Sequence, residues 1–194
     1  MSEGSDSRVL VLVGSLRAAS INRQLAELAT ETSPAGVTLE LFDLLGELPF
    51  YNEDIDRAPE DGGVPEPVAA LREAAARADA ALVVTPEYNG SIPGVLKNAI
   101  DWLSRPFGAG AFGGKPVAVV GTAYGQFGGV WAQDETRKSV GIAGGKVLEE
   151  VKLSIPGSLV RFAETHPADD AEVAAQLAEV VAQLHSNAGE VAAA

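Results

Sequence analysis

The stretch that decides the fold is VLVLVGSLRAASIN, residues 9–22. Its first five residues are apolar and mostly β-branched, which predicts a short strand buried on both faces, as the central strands of parallel sheets are. The polar residues that follow predict a loop, and Ile21, Leu25 and Leu28 then recur at helical spacing. A buried strand, a loop and a helix in this order are typical of a βαβ unit.

The rest of the chain repeats this alternation. Further strands are expected at residues 37–42, 80–85, 117–120 and 146–152, and helices at 68–78, 94–104, 130–140 and 173–184. Strands that alternate with helices predict an α/β domain with a parallel sheet and helices on both faces, in three layers. Because crossovers are right-handed, five such strands suit the flavodoxin-like order 2-1-3-4-5.

This strand order predicts where a ligand binds. In such a sheet the site lies outside the carboxyl ends of the strands, at the switch between the first and the third strand. The loops after Val13, Thr85 and Val120 are therefore expected to meet there.

The length of 194 residues fits a single domain with one sizeable core. We expect that domain at residues 8–187, with disordered tails at 1–7 and 188–194. Residues 43–67 are rich in Pro, Asp, Glu and Gly and are predicted to form a long loop.

The composition excludes several classes of partner. Acidic residues number 27 against 14 Lys and Arg, which gives a formal net charge of -13. Such a surface repels nucleic-acid phosphates and anionic membranes. The chain has no cysteine and no apolar run near the roughly 20 residues that span a bilayer. We therefore expect a cytoplasmic protein without nucleic-acid partners or membrane insertion.

The first loop has the chemistry of a phosphate site. The amino end of a helix presents unpaired N–H groups and a partial positive charge. Ser15, Ser20 and Asn22 add side-chain donors there, and Arg17 adds a charged fork. The alternative is that Ser20 or Asn22 only caps the helix, but capping needs one of these residues rather than all four. Neither a G-x-G-x-x-G fingerprint nor a Walker loop is present.

The second loop, PEYNGSIPG at residues 86–94, can face a flat ligand. Pro86 fixes φ and Gly90 permits a positive φ, so that the backbone amides can turn toward a ring. Tyr88 could form part of an apolar wall and Asn89 a polar contact. The alternative is an ordinary turn that starts the next helix at residues 93–94.

Both loops together carry a family resemblance. The motif GSLR-x2-S-x-N at 14–22 and the run PEYNGSIPGVLKNAIDWLSR at 86–105 are similar to those of the NADPH-dependent FMN reductase family, which includes bacterial quinone, chromate and azo-dye reductases. The glycine pairs at 113–114 and 128–129 also fit this pattern. The resemblance runs from residue 9 to residue 156.

The resemblance implies an FMN site with three parts. The phosphate would be held by Ser15, Arg17, Ser20, Ile21 and Asn22. The ring would be bordered by Pro86, Glu87, Tyr88, Asn89 and Gly90, and contacted by Thr122 and Ala123 in the third loop. Tyr124 is bulkier than the usual residue of the family, which affects ring stacking or substrate access.

The function implied is an NAD(P)H-dependent FMN or quinone reductase. The flavin would take hydride at N5 from NADPH or NADH and pass electrons to a small oxidant in ping-pong order. No catalytic side chain and no metal are expected. A flavodoxin-type electron carrier that serves protein partners remains the alternative, as does a regulatory domain without FMN. A serine hydrolase is excluded, because Ser15 and Ser91 lack the G-x-S-x-G elbow.

Several other residues have two interpretations. Trp102 and Leu103 pack either in the core or between subunits, and the resemblance to dimers and tetramers favours the interface. Trp131, Gln133 and Arg137 either flank the site or lie on a surface helix. The histidines, His166 and His185, are expected to be ordinary surface or core residues. The acidic run at 53–61 is expected to be a solvated loop rather than a metal site.

Overall fold

The sheet of the computed structural model, which describes residues 6–56 and 63–192, has five parallel strands. Their order β2-β1-β3-β4-β5 confirms the predicted flavodoxin-like topology. The strands are β1 Ser7–Val13, β2 Val37–Leu41, β3 Ala80–Val84, β4 Pro116–Thr122 and β5 Lys146–Ile155.

Helices cover both faces of this sheet. They are α1 Ile21–Glu31, α2 Glu53–Asp56, α3 Glu66–Arg77, α4 Gly94–Leu103, α5 Val130–Ile142, α6 Ser158–Arg161 and α7 Ala171–Ala192. Successive side chains of a strand point to opposite faces. Val9, Val11 and Val13 therefore pack with α1 and α7, whereas Leu10 and Leu12 pack in the second core with α3 and α4.

The strand order changes direction at β1. From β1 the chain goes to β2 on one side, and then returns across to β3 on the other side of β1. Gly14, directly after β1, donates its N–H to the carbonyl of Val84 at the end of β3, at 2.9 Å. The predicted switch point thus lies between the first and the second loop.

The segment predicted as a long loop is partly helical and is anchored. It contains a 3-10 turn at Leu45–Glu47 and the short helix α2. Asn98 and Trp102 of α4 hold it, because both side chains donate to the carbonyl of Pro49, at 3.0 and 2.8 Å. Trp102 and Leu103 are fully buried within this chain, so the core interpretation is right and the interface interpretation is wrong for these two residues.

The carboxyl-terminal part departs from the predicted bounds. Helix α7 continues to Ala192 and buries Ala188, so the domain extends past the expected boundary at 187. Strand β5 continues to Ile155, three residues beyond the predicted end, because a register shift against β4 interrupts its alternation. Helix α6 carries no periodic pattern long enough to predict it.

Residues 1–5, 57–62 and 193–194 lie outside the described part of the chain, and with them most of the expected amino-terminal tail and the end of the acidic run. Ser7, assigned to that tail, belongs to β1. No helix within the described residues has the length and apolar character needed to cross a membrane.

The two histidines have structural hydrogen bonds. His185 on α7 shares one with the buried Ser7, at 2.8 Å, at the amino end of β1. His166 accepts one from the N–H of Ala168 in the following turn. The carboxyl end of β1 is about 20 Å from its amino end at the usual rise per residue, which places His185 far from the predicted site.

Candidate functional site

Three loops converge at the carboxyl edge of the sheet, as predicted. A Cβ placed on Gly14 would lie 3.1 Å from the ring of Pro86, so the first loop touches the second. A Cβ on Gly121 would lie 2.0 Å from the carbonyl oxygen of Thr85, so the second loop touches the end of β4. Glycine at both positions permits this close approach.

The first loop holds two serine hydroxyls with no protein partner. Ser15 is 7% and Ser20 3% exposed, and neither side chain has a hydrogen bond to a described residue. Ser20 stands at the N-cap of α1 but its hydroxyl makes no capping bond, which contradicts the simple capping alternative. Neither hydroxyl is used by the described protein, and unused donors at the amino end of a helix favour an anionic ligand.

Arg17 is the cation available at this loop. Its side chain is exposed and makes no ion pair with the described residues. Arg23, one turn into α1, is instead paired with Glu27 and Asp43, each at 2.8 Å. The expected local positive charge in an acidic protein is therefore present on Arg17.

Asn22 has a different role from the one its sequence suggests. Its Nδ2 donates to the carbonyl of Thr122 at 3.0 Å, and its Oδ1 accepts from the N–H of Thr122 at 2.9 Å. The buried carboxamide therefore ties α1 to the end of β4 and is not an unengaged donor, so that its backbone N–H is what it can offer to a phosphate. Ile21, beside it, is partly exposed.

The second loop is a tight hairpin. Tyr88 and Ser91 exchange two backbone hydrogen bonds of 3.1 Å around Asn89 and Gly90. Both central residues have positive φ, 54° and 72°, as a type I′ turn requires. Pro86 is buried, whereas Tyr88 is 52% exposed and can form the predicted wall.

Two carboxylates fasten this hairpin to α5. Glu87 accepts from the N–H groups of Trp131 and Ala132, at 3.1 and 3.2 Å, and so caps the amino end of α5. Glu135 accepts from Ser91 Oγ at 2.6 Å and from the Ile92 N–H at 3.2 Å. The bond from Ser91, together with that from Ile92, holds the pKa of Glu135 below its ordinary value. Glu87 therefore has a structural task in addition to its expected place beside the ring.

The third loop begins with Thr122 and Ala123. Thr122 is buried, and its hydroxyl donates to the carbonyl of Ile155 at 2.7 Å. Ala123 is partly exposed, and Tyr124 after it is 75% exposed at the rim. The loop ends at Gly128 and Gly129, both with positive φ, where α5 starts.

Exposed aromatic side chains surround the hairpin and the third loop. Phe127 and Trp131 are each 53% exposed, and their ring centroids are 5.4 Å apart. Trp131 also lies beside Gly90, whose Cβ would be 3.8 Å from its ring. With Tyr88 and Tyr124 we call them the aromatic rim, and Trp131 thus lies beside the hairpin of the candidate site.

Two residues next to Trp131 are buried, which the surface-helix interpretation did not foresee. Gln133 is 0% and Arg137 4% exposed, and both take part in one hydrogen-bonded network. The sequence contains a signal for this: Gln133, Arg137 and Val140 recur on one helical face, which has to cover the sheet.

The candidate site therefore combines a helix amino end with unused donors, a hairpin and an aromatic rim. The model of the NADPH-dependent FMN reductase family matches residues 7–159. The chain belongs to that family. It is accordingly an oxidoreductase of a family whose cofactor is FMN and whose reductant is NAD(P)H.

Relatives in sequence include two bacterial reductases. A 2-hydroxy-1,4-benzoquinone reductase of a Burkholderia species is 45% identical over 130 residues, which cover 67% of this chain and 68% of that protein. An NAD(P)H-dependent FMN reductase of Pseudomonas aeruginosa is 44% identical over 135 residues, 70% of either chain.

A solved structure extends the similarity over nearly the whole chain. The flavoenzyme NAD(P)H:(acceptor) oxidoreductase of Paracoccus denitrificans has a TM-score of 0.81 and 33% identity, with 95% of this chain and 98% of that one covered. A flavodoxin from Pseudomonas aeruginosa, with a TM-score of 0.55 and 23% identity over 91% of this chain and 98% of that one, shares the fold alone.

Proposed function

We propose that the protein is an NAD(P)H-dependent reductase of quinones, flavins or other small oxidants that works through bound FMN. The observation that carries this proposal is the amino end of α1, where Ser15 and Ser20 have hydroxyls without a protein partner, beside the hairpin and the third loop. The names of the bacterial relatives support a quinone as the oxidant.

Each part of the site has a role in this proposal. The phosphate is bound by Ser15, Ser20 and Arg17 and by the backbone N–H groups of Ile21 and Asn22. The ring is bordered by Pro86, Glu87, Tyr88, Asn89, Gly90, Thr122 and Ala123.

The chain holds and exposes the cofactor rather than transferring protons with its own groups. When bound, FMN supplies the hydride chemistry at its N5 atom, with NADPH or NADH and the oxidant using one open face in turn, in ping-pong order. The aromatic rim would offer apolar contacts to flat oxidants beside the bound cofactor. No side chain is assigned a catalytic role, and a cytoplasmic location is part of the proposal.

Anaerobic stopped-flow absorbance tests the donor step. FMN-loaded protein is mixed with NADPH and separately with NADH, and rapid bleaching of the flavin band is expected with at least one of them. Initial rates with a quinone should give parallel double-reciprocal lines, as ping-pong order requires. Bound FMN that neither donor bleaches would instead support the electron carrier, and protein that takes up no FMN would support the regulatory domain.

We further propose that the protein is a homodimer or homotetramer with an interface on α4 and α5. Ile142 at the end of α5 is 79% exposed and Phe107 after α4 is 90% exposed. They flank an open cavity of about 540 Å3, whose wall also includes Lys97 and Asp101. Apolar side chains together with charges of both signs suit a two-fold interface, in which the same surface meets itself.

A further inference from the structure

The inner face of α5 carries polar side chains in a position where apolar ones are the norm. Gln133 and Thr136 are 0% exposed, and Arg137 is 4% exposed. Burying a carboxamide and a guanidinium is costly unless their donors and acceptors are satisfied. Thr136 is satisfied within the helix, since its hydroxyl donates to the carbonyl of Ala132 at 2.7 Å. Gln133 and Arg137 reach outside it.

Arg137 binds the sheet next to a register shift between β4 and β5. The register between β4 and β5 shifts between Val117 and Val119. The carbonyl of Val120 accepts from Thr85 on the β3 side, so the alternation of a strand turns the Val119 carbonyl toward β5, next to this register shift. Arg137 Nη2 donates to this Val119 carbonyl at 2.7 Å. Its second nitrogen, Nη1, donates to Asp134 at 3.0 Å.

Gln133 connects Arg137 to the third loop. Its Oε1 accepts from Arg137 Nη2 at 3.2 Å and from Ser154 Oγ of β5 at 2.9 Å. Its Nε2 donates to the carbonyl of Gly128 at 3.2 Å. One side chain thus links the sheet, the edge strand and the last turn of the third loop.

Gly128 is the residue at which the third loop packs against the backbone of β5. Its φ is 63°, and a Cβ on it would lie 2.7 Å from the backbone carbon of Ser154. The following residue, Gly129, is the N-cap of α5, the helix end to which Glu87 of the hairpin binds. Whatever fixes Gly128 therefore also fixes the second loop relative to the third.

We propose that Gln133, oriented by Arg137, is a positioning residue that sets the third loop and the hairpin for FMN. It does not touch the ligand; it acts through the Gly128 carbonyl. The inference rests on the proposed function for its ligand, while the fixing of the loop itself can be measured in protein without FMN.

The test uses two substitutions on the same buried face. Gln133→Glu keeps the size and the acceptor for Arg137 and Ser154, but as a carboxylate it cannot donate to Gly128. Thr136→Val is the matched control, because it removes a buried hydrogen bond of α5 that touches no loop. Both variants are expected to lower the melting temperature of the protein.

Only Gln133→Glu is expected to change the loop and the cofactor affinity. Without FMN, the hydrogen-bonded amides of Ala123, Gly128 and Val130 should exchange with deuterium about tenfold faster than in the parent chain. The Kd for FMN should rise about tenfold. The neutral Gln133→Asn variant keeps a donor on a shorter side chain. Its exchange rates and its Kd for FMN should lie between those of the parent chain and of Gln133→Glu.

Three results would overturn the inference. Amide exchange at these positions that is unchanged in Gln133→Glu would do so, as would exchange that rises equally in Thr136→Val. Faster amide exchange in Gln133→Glu with an unchanged Kd for FMN would show that Gln133 has only a structural role. Failure of the proposed function is distinguishable, because the parent chain itself would then bind no FMN while the exchange measurement still decides whether Gln133 fixes the loop.

Discussion

Individual side chains in this site form hydrogen bonds that connect separate elements. Asn22 spans from α1 to Thr122, and Glu87 spans from the hairpin to the amino end of α5. Both were predicted as ligand contacts, because a polar side chain in a loop offers the same donors to a ligand and to a neighbouring backbone. Sequence identifies such a residue as belonging to the site, but only its neighbours in space determine its partner.

The close approach of Gly121 on β4 to Thr85, directly after β3, gives a prediction at the residue scale. Gly121→Ala places a methyl group 2.0 Å from the Thr85 carbonyl, which is backbone and cannot rotate away. We expect a loss of about 3 kcal/mol in the free energy of unfolding. Gly125→Ala is the control, since its Cβ would meet nothing within 4 Å. Urea unfolding of the two variants measures the difference, and similar midpoints would contradict the packing argument.

At the scale of elements, the amino end of α1 has the features that favour a bound anion. Its first turn contains no acidic residue, and its N-cap hydroxyl is not used for capping. An amino end that is neither capped nor neutralised keeps its partial positive charge for a ligand. Helix α5 shows the contrast, because Glu87 already occupies its amino end.

The amino end of α1 gives a prediction that distinguishes binding of the FMN phosphate from binding of the flavin ring. Ser20→Ala should raise the Kd for FMN about tenfold or more, because a hydrogen bond to a charged group is lost. The Kd for riboflavin, which has the same ring and no phosphate, should stay within about twofold. Isothermal titration of both ligands measures this. A parallel loss for riboflavin would place Ser20 at the ring instead.

At the scale of the whole molecule, the exposed apolar side chains fall into separate regions. The aromatic rim lies over the site, and Phe107 and Ile142 flank the cavity between α4 and α5. Leu159 and Val160 on α6 form another exposed pair. Large exposed apolar residues that cluster usually mark contacts, and the proposed subunit interface uses the second of these regions.

The subunit interface gives the prediction at this scale. Ile142→Glu places one carboxylate from each subunit in a two-fold contact. Each carboxylate should weaken the association free energy by about 2 kcal/mol or more, so the dimer Kd should rise about a thousandfold. Val160→Glu makes the same change at an equally exposed position outside this interface and should leave the oligomer intact. Light scattering after gel filtration over a dilution series measures both. A parent chain that is monomeric throughout would refute the proposal.

The sequence by itself determined the strand order and the three loops, and it named the residues of the candidate site. These follow from local patterns: apolar runs at 9–13 and 80–84, helical spacing after Ile21, and two loop motifs. Periodicity reports burial along one element, and handedness leaves few ways to connect such elements.

Only the tertiary structure decided what those residues bind. The partner of Asn22 is 100 positions away and that of Glu87 is 44 away, and Gln133 binds both Gly128 in the third loop and Ser154 on β5. The burial of Trp102 likewise depends on Pro49, from a segment with no strong pattern of its own. A hydrogen bond depends on distances of a few tenths of an ångström between remote segments, and no local sequence pattern encodes such distances.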